Sequence, residues 1–466
     1  MSAALPVLSH GTDHPHAAAE FLRDPERAKW HDESLWFVRQ KRDRATNLPE
    51  WESLRTAASQ LKAHAMSRLA ELLEEFERRA NENGVSVHWA RDAAEHNAIV
   101  HGILRESGAK RVVKSKSMLT EECGLNPHLE ASGIEIVDSD LGERIVQLAN
   151  EAPSHIVMPA IHWKKSEIGE LFHRAMGTPA GESSPEALAE AARVSLRDSL
   201  LHADAAITGA NALVAETGGV VVCTNEGNAD LGMHSAPIHI ACVGIEKIVA
   251  SLDDLGVLLR MLARSATGQP VTAYTTHVTG PRRGAAMHVV LVDNGRTARL
   301  ADAEMRSALH CIRCGACLNT CPVYRRSGGY SYGHVIPGPI GAILAPAVDL
   351  TQHKSLPYAS TLCGSCGDVC PVRIDIPAQL LAWRGRVAGE HELPKSKAMM
   401  FRRLGRVLSD PRRFARAGSL ARHLLRLIPE SVLANRWNPW TRAGRDMPIA
   451  PKESFREWAK RTGRMS

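Results

Sequence analysis

From Trp51 the apolar positions Leu54, Leu61, Met66, Leu69, Leu72, Leu73 and Phe76 recur near three- and four-residue spacing, with Asn83-Gly84 as a stop signal, which predicts a helix burying one face. After Gly84 the pattern alternates. Short β-rich runs at 85–89, 110–114, 133–137 and 155–159 are separated by helical-length segments such as 91–106 and 141–151. That alternation predicts βαβ units and a parallel sheet. A long helix is expected over 184–201, capped at Ser183 or Ser184 ahead of Pro185, followed by strands near 205–208, 219–224 and 239–244. A last strand over 287–293 is closed by Asn294-Gly295. The α/β domain is therefore expected over 66–297, behind an N-terminal helical arm, 1–65, whose Trp30, Trp36 and Phe37 would pack on a neighbour.

From Ala301 the texture changes to helix, cysteine windows and a Gly/Pro-rich connector at 327–346, which sets off a second domain over 300–386. Beyond it, 387–466 reads as a basic region cut into short helices by Pro394, Pro411, Pro429 and Pro439. With 44% hydrophobic and 23% charged residues over 466 positions, the chain has the balance of a globular protein of several domains. A membrane helix needs ~18 to 20 uninterrupted apolar residues, and the best stretch, 335–348, is broken by Pro337, Pro339 and Pro346. The first fifteen residues are polar and lack the apolar core of a secretory signal, so the expectation is a cytoplasmic protein. The net charge of +6 is local: 395–426 holds ten Lys or Arg against the single acid Asp410. The remainder is slightly acidic, which argues against a nucleic-acid-binding body and for a patch that meets an acidic partner or a membrane surface peripherally, or is simply solvated.

Seven of the ten cysteines fall in two windows. The first, Cys311-Ile-Arg-Cys314-Gly-Ala-Cys317-Leu-Asn-Thr-Cys321-Pro322, is C-x2-C-x2-C-x3-C-P, the bacterial iron-sulfur run in which three thiolates wrap one cluster and the fourth reaches another. The second, Cys363-Gly-Ser-Cys366-Gly-Asp-Val-Cys370-Pro371, repeats its ending. A zinc site would use two pairs and leave three thiols over. Crossed ligation then assigns Cys311, Cys314, Cys317 and Cys370 to cluster one, and Cys321, Cys363 and Cys366 to cluster two. Cluster two is one cysteine short, and the position completing an eight-cysteine pattern is Ser360. Ser360, solvent, another side chain or a partner would complete it, or it would lose an iron and show a 3Fe-4S form. The remaining Cys123, Cys223 and Cys242 read as small hydrophobes, the last two in buried strands.

These windows, with Cys321-Pro322-Val323-Tyr324, Gly338-Pro339-Ile340-Gly341 and Cys370-Pro371-Val372-Arg373-Ile374-Asp375-Ile376-Pro377, resemble the iron-sulfur protein B family of bacterial L-lactate utilisation. So do Lys114-Ser115-Lys116-Ser117, Pro153-Ser154-His155-Ile156-Val157, Glu216-Thr217-Gly218, Asn225-Glu226-Gly227-Asn228 and Thr279-Gly280-Pro281-Arg282. The resemblance implies a LUD-type α/β domain similar to ribose-5-phosphate isomerase and CoA-transferase domains. A helical two-cluster ferredoxin domain like those of succinate dehydrogenase iron-sulfur subunits would follow, ending in a helical tail. It further implies two 4Fe-4S clusters, an electron-carrying role in oxidising L-lactate to pyruvate, and partners in a lactate-utilisation complex.

In the α/β domain, Lys114 and Lys116 follow a predicted strand, at the end where open parallel sheets bind ligands, and could hold a carboxylate or phosphate. They could equally be a solvated loop. Glu216 opens a strand that Asn225, Glu226 and Asn228 close, so these candidates belong at opposite ends unless the strand is bent. His155 and His162, flanking a predicted strand, are more often structural than catalytic. An alternative reading makes the α/β domain an isomerase or acyl-CoA transferase with regulatory or structural clusters; reversible reduction separates the two.

Overall fold

The computed structural model describes residues 13–390, 394–433, 435, 437, 438, 440, 441 and 445–464. The expected interruption at Pro439 and most of the polar stretch 1–15 lie outside the described residues. Contacts divide the chain into two units, Met1–Arg386 and Val387–Ser466.

The first unit contains strands β1 (Ser86–Ala90), β2 (Arg111–Lys114), β3 (Glu135–Asp138), β4 (Ala205–Thr208), β5 (Ala212–Val214), β6 (Gly219–Thr224), β7 (Ile238–Gly244), β8 (Ile248–Val249), β9 (Tyr274–Val278) and β10 (Ala286–Val292). Six of them form a sheet in the order β1-β10-β7-β4-β2-β3, every neighbouring pair parallel. A parallel sheet is covered on both faces, and its strands are accordingly near-continuous apolar runs. In β10, Met287, Val289 and Leu291 join one core with Leu72, Leu73 and Phe76 of the helix Leu69–Glu82. Val290 and Val292 join the opposite core with Val100 and Leu104 of the helix Ala93–Ser107. The expected parallel α/β domain is thus present, followed by short helices around the cysteines and by a helical tail.

Several expectations need correction. The strand Gly219–Thr224 belongs to a separate mixed sheet, β8-β5-β6-β9, in which it pairs antiparallel with β5 and β9. The run 155–159 is a loop: Val157 N and Met158 N both donate to His155 Nδ1 and Ser154 N donates to Pro159 O, so these amides are spent locally. The helix from Trp51 divides at Arg68 (φ −118°, ψ 28°) into Trp51–Ser67 and Leu69–Glu82. The arm folds into the helices His14–Phe21 and Pro25–Ala45, and its anchors are Leu35 and His31, both fully buried. Trp36 and Phe37, expected to pack, are exposed, with the Arg325 guanidinium 4.4 Å from the Trp36 ring.

In the second unit the helices Lys395–Leu408 and Pro411–Leu427 meet at a turn where Asp410 Oδ1 accepts from the amides of Arg412 and Arg413. Neither helix buries a residue within this chain, so Phe401, Leu404, Leu408, Leu420 and Leu424 stay exposed beside the arginines.

Candidate metal centre and adjoining cavity

The two cysteine loops are built alike. Arg313 (φ +60°) and Gly315 (φ +73°) flank Cys314, and Leu362 (φ +55°) and Gly364 (φ +87°) flank Cys363. A short helix starts at the matching place in each, Ala316–Thr320 and Ser365–Asp368. Non-glycine residues seldom adopt that region, so Arg313 and Leu362 store local strain that the loop's packing offsets. By position, Cys314 matches Cys363, Cys317 matches Cys366, Cys321 matches Cys370, and Cys311 matches Ser360. The match extends to hydrogen bonding: the Arg313 amide donates to Cys311 Sγ at 3.4 Å, and the Leu362 amide donates to Ser360 Oγ at 3.0 Å.

The thiols form two neighbourhoods. Cys314 is influenced by the charges of Cys311 and Cys370, Cys317 by those of Cys311, Cys314 and Cys370, and Cys370 by that of Cys311. Cys321 is influenced by Cys363, and Cys366 by Cys321 and Cys363. Cys317 also responds to Cys366, so the two neighbourhoods adjoin. Cys311, Cys314, Cys317 and Cys370 line one small cavity together with Ile156, Ile312 and Ile340. Burial, with neighbouring thiols acting in the same sense, pushes Cys314 and Cys366 up to about 12 and Cys370 to about 11. Such thiols keep their protons until a metal displaces them.

The donor set suits a cluster better than a single ion. Among the described residues no three His, Cys, Asp or Glu side chains converge on one point, as zinc would require. Each iron of a cluster takes one thiolate, so its sulfurs stand apart. Amides aim at those sulfurs: Tyr324 N donates to Cys321 Sγ at 3.5 Å and Ile374 N to Cys370 Sγ at 3.3 Å, bonds of the kind that tune a cluster's potential.

The N-terminal helices hold the second loop. Arg42 Nη2 donates to Val369 O at 2.9 Å, and Arg55 donates through Nε to Cys370 O at 3.0 Å and through Nη2 to Gly367 O at 3.3 Å. This use of the arm carried no sequence signal, because it depends on carbonyls more than 300 positions away.

A cavity of about 280 Å³ adjoins the first loop, at the carboxyl ends of β2, β4 and β7. From β2 the chain moves outward to β3, then returns to β4 and proceeds the other way through β7, so the cavity lies at a topological switch point. Lys116, Asn225, Glu226 and Asn228 line it. Lys116 Nζ donates to Val157 O at 2.9 Å, Glu226 Oε2 accepts from Leu141 N at 3.1 Å, and Asn228 Nδ2 donates to Ser139 Oγ at 3.0 Å. Burial and the nearby Asp140 push the Glu226 carboxyl up to about 7.

Two candidates lie elsewhere. Lys114 is fully buried among Glu121, Asp138 and Glu143, with Nζ 2.9, 2.8 and 3.5 Å from their oxygens, a structural network. Glu216 Oε1 accepts from Leu252 N at 2.6 Å, away from the cavity wall. Sequence reasoning missed Asp140, Arg296, Glu246 and Arg313, which also line the cavity. Cys223, expected to be a buried strand residue, is half-buried on that wall, whereas Cys242 is buried as expected. His155 and His162 are both partnered, His155 Nε2 with Asn319 Oδ1 at 3.0 Å and His162 Nε2 with Glu151 Oε2 at 2.9 Å.

The comparisons agree with this architecture. Residues 73–298 match the LUD domain, and residues 307–374 match the 4Fe-4S dicluster domain. Fold and donor set together define an iron-sulfur protein of the electron-transport class, built on a parallel α/β domain. "Lactate utilization protein B" of Oceanobacillus iheyensis is 40% identical over 434 residues, covering 91% of this chain and 90% of that protein. Its counterpart in Geobacillus thermodenitrificans is 41% identical over 426 residues, 88% of each. The "uncharacterized electron transport protein YkgF" of Escherichia coli is 39% identical over 425 residues, 89% of each. The chain belongs to the lactate utilization protein B family. No helix among the described residues is long and apolar enough to cross a membrane.

Proposed function

We propose that this protein is the electron-transfer subunit of a cytoplasmic system that oxidises L-lactate to pyruvate, the chemistry itself being done by partner proteins. The observation that carries the reading is the small cavity that Cys311, Cys314 and Cys317 of the first window share with Cys370 of the second. On this reading Cys311, Cys314, Cys317 and Cys370 hold one 4Fe-4S cluster, and Cys321, Cys363 and Cys366 hold a second, which Ser360 completes. Bound clusters supply reversible one-electron reduction, and two of them match the two electrons released when a 2-hydroxy acid becomes a 2-oxo acid.

Cys363 is the exposed member of the set, so the second neighbourhood faces a partner, while Cys314 and Cys370 lie buried. The exposed apolar and basic helices of 395–426 offer a docking surface for an acidic partner of that system. Redox titration followed by electron paramagnetic resonance tests the role: a carrier cycles both centres reversibly, and centres that cannot be reduced and reoxidised without loss of iron would overturn it.

A further inference from the structure

Arg313 belongs to the first cysteine loop and to the α/β cavity at once. Its amide donates to Cys311 Sγ at 3.4 Å, and its side chain lines the cavity. Its Nη1 is buried without a hydrogen-bond partner. Its Nη2 lies 3.9 Å from Glu246, a carboxylate already paired with Arg296 at 2.5 Å. A buried guanidinium whose donor is left unpaired is costly, and an anion drawn into the adjoining cavity offsets part of that cost through its charge.

The surrounding charges point the same way. Lys116, Lys247, Arg296 and Arg313 face the carboxylates of Glu122, Asp140, Glu226 and Glu246. Burial and Asp140 push Glu226 to about 7, so at neutral pH the wall keeps a positive surplus of less than one charge. A monoanion suits that surplus, whereas a phosphate would bring nearly two charges next to Asp140 and Glu226. The volume of about 280 Å³ lies at the lower limit of ligand pockets, roughly 300–1,000 Å³, and suits a small molecule. Ile156 and Ile312 line both this cavity and the one formed by the four thiols, so a single side-chain layer divides them.

We propose that this cavity binds a small monocarboxylate through Arg313 and Lys116, and that its occupancy is coupled to the redox state of the cluster held by Cys311, Cys314, Cys317 and Cys370. The coupling rests on the cluster assignment made above. Reduction adds negative charge one layer from the anion and weakens its hold; by reciprocity the bound anion makes reduction harder. Tenfold weaker binding to the reduced protein corresponds to a midpoint lowered by about 59 mV for a one-electron step.

The test uses the full-length protein with clusters intact, titrated calorimetrically with pyruvate and with L-lactate, and poised electrochemically with and without each. Saturable one-to-one binding is expected, about tenfold tighter when oxidised, with the midpoint of the first cluster falling by about 59 mV at saturation and the second moving less. Arg313→Met should abolish binding and shift. Should that variant fail to assemble the first cluster, Lys116→Met, outside the cysteine loops, should weaken binding at least tenfold with the spectra unchanged. No saturable monocarboxylate binding, binding of inorganic phosphate instead, or binding that leaves both midpoints in place would overturn the proposal. Reversible cycling of the clusters in the same samples separates that failure from failure of the carrier role.

Discussion

His155 and Asn319 form a buried hydrogen bond, Nε2 to Oδ1 at 3.0 Å, that fastens a loop of the α/β domain to the helix Ala316–Thr320, which carries Cys317 and leads into Cys321. Burial holds the His155 ring neutral, with its pKa lowered to about 3, and His14, His239, His310 and His334 are lowered to about 4 for the same reason. Each is depressed below its ordinary value of 6.5, so unfolding takes up a proton. Their contribution is fully present above pH 6.5 and is lost as the pH falls toward 4 and then 3. Stability should therefore decline steeply below pH 6.5, by up to about 1.4 kcal/mol per pH unit for each histidine. His155→Gln should flatten that decline in denaturation curves taken across the range; an unchanged slope would show that His155 does not titrate with unfolding.

Ser360 holds the place that Cys311 holds in the other loop. Ser360→Cys should give the second cluster a fourth thiolate and suppress its 3Fe-4S signal on exposure to air, while Ser360→Ala should accelerate iron loss at least roughly tenfold. Paramagnetic resonance after timed air exposure reads both, and identical decay in the three proteins would remove Ser360 as a ligand.

Arg42 and Arg55 hold carbonyls of the second cysteine loop from the N-terminal helices. Arg42→Ala leaves the Val369 carbonyl without this donor in a buried setting and should lower stability by about 1–3 kcal/mol. Denaturant unfolding measures the loss, and iron content after gel filtration should fall with it, first at the set that includes Cys370, whose neighbour Val369 is held by Arg42.

Reversing Arg402, Arg403 and Arg406 to Glu should weaken assembly with partner proteins most strongly at low salt, where surface charges are least screened. Sedimentation of the mixed proteins at two ionic strengths checks it; unchanged assembly at low salt would show that the basic helix is merely solvated.

The parts of this molecule that were legible in the sequence are those fixed over short distances. Cysteine spacing is local chemistry, and apolar runs such as Val289–Val292 announce a parallel strand covered on both faces. The second sheet escaped because β5 and β8 are three and two residues long, too short to show a period. The loop 155–159 looked like a strand because Ile156 and Val157 are β-branched, yet Ile156 walls both cavities and the His155 ring takes the amides a ladder would need. Lys114 and Lys116 are alike in sequence, but one is enclosed by three carboxylates and the other lines the cavity. Glu216 and Asn225 were correctly expected at opposite ends of β6, and the cavity takes only the second. Arg313 was unreadable, since its position depends on a positive φ and on a carboxylate–guanidinium pair 50 residues apart in sequence, Glu246 with Arg296.

The central claim, that two adjoining clusters draw their ligands across both windows, is tested most directly by the spectra of Cys370→Ser. Mössbauer and paramagnetic resonance spectra of that variant should show the four-cysteine cluster damaged while the other persists, although Cys370 lies in the second window. Retention of an intact four-cysteine cluster in Cys370→Ser would contradict the account and show that each window builds its own site.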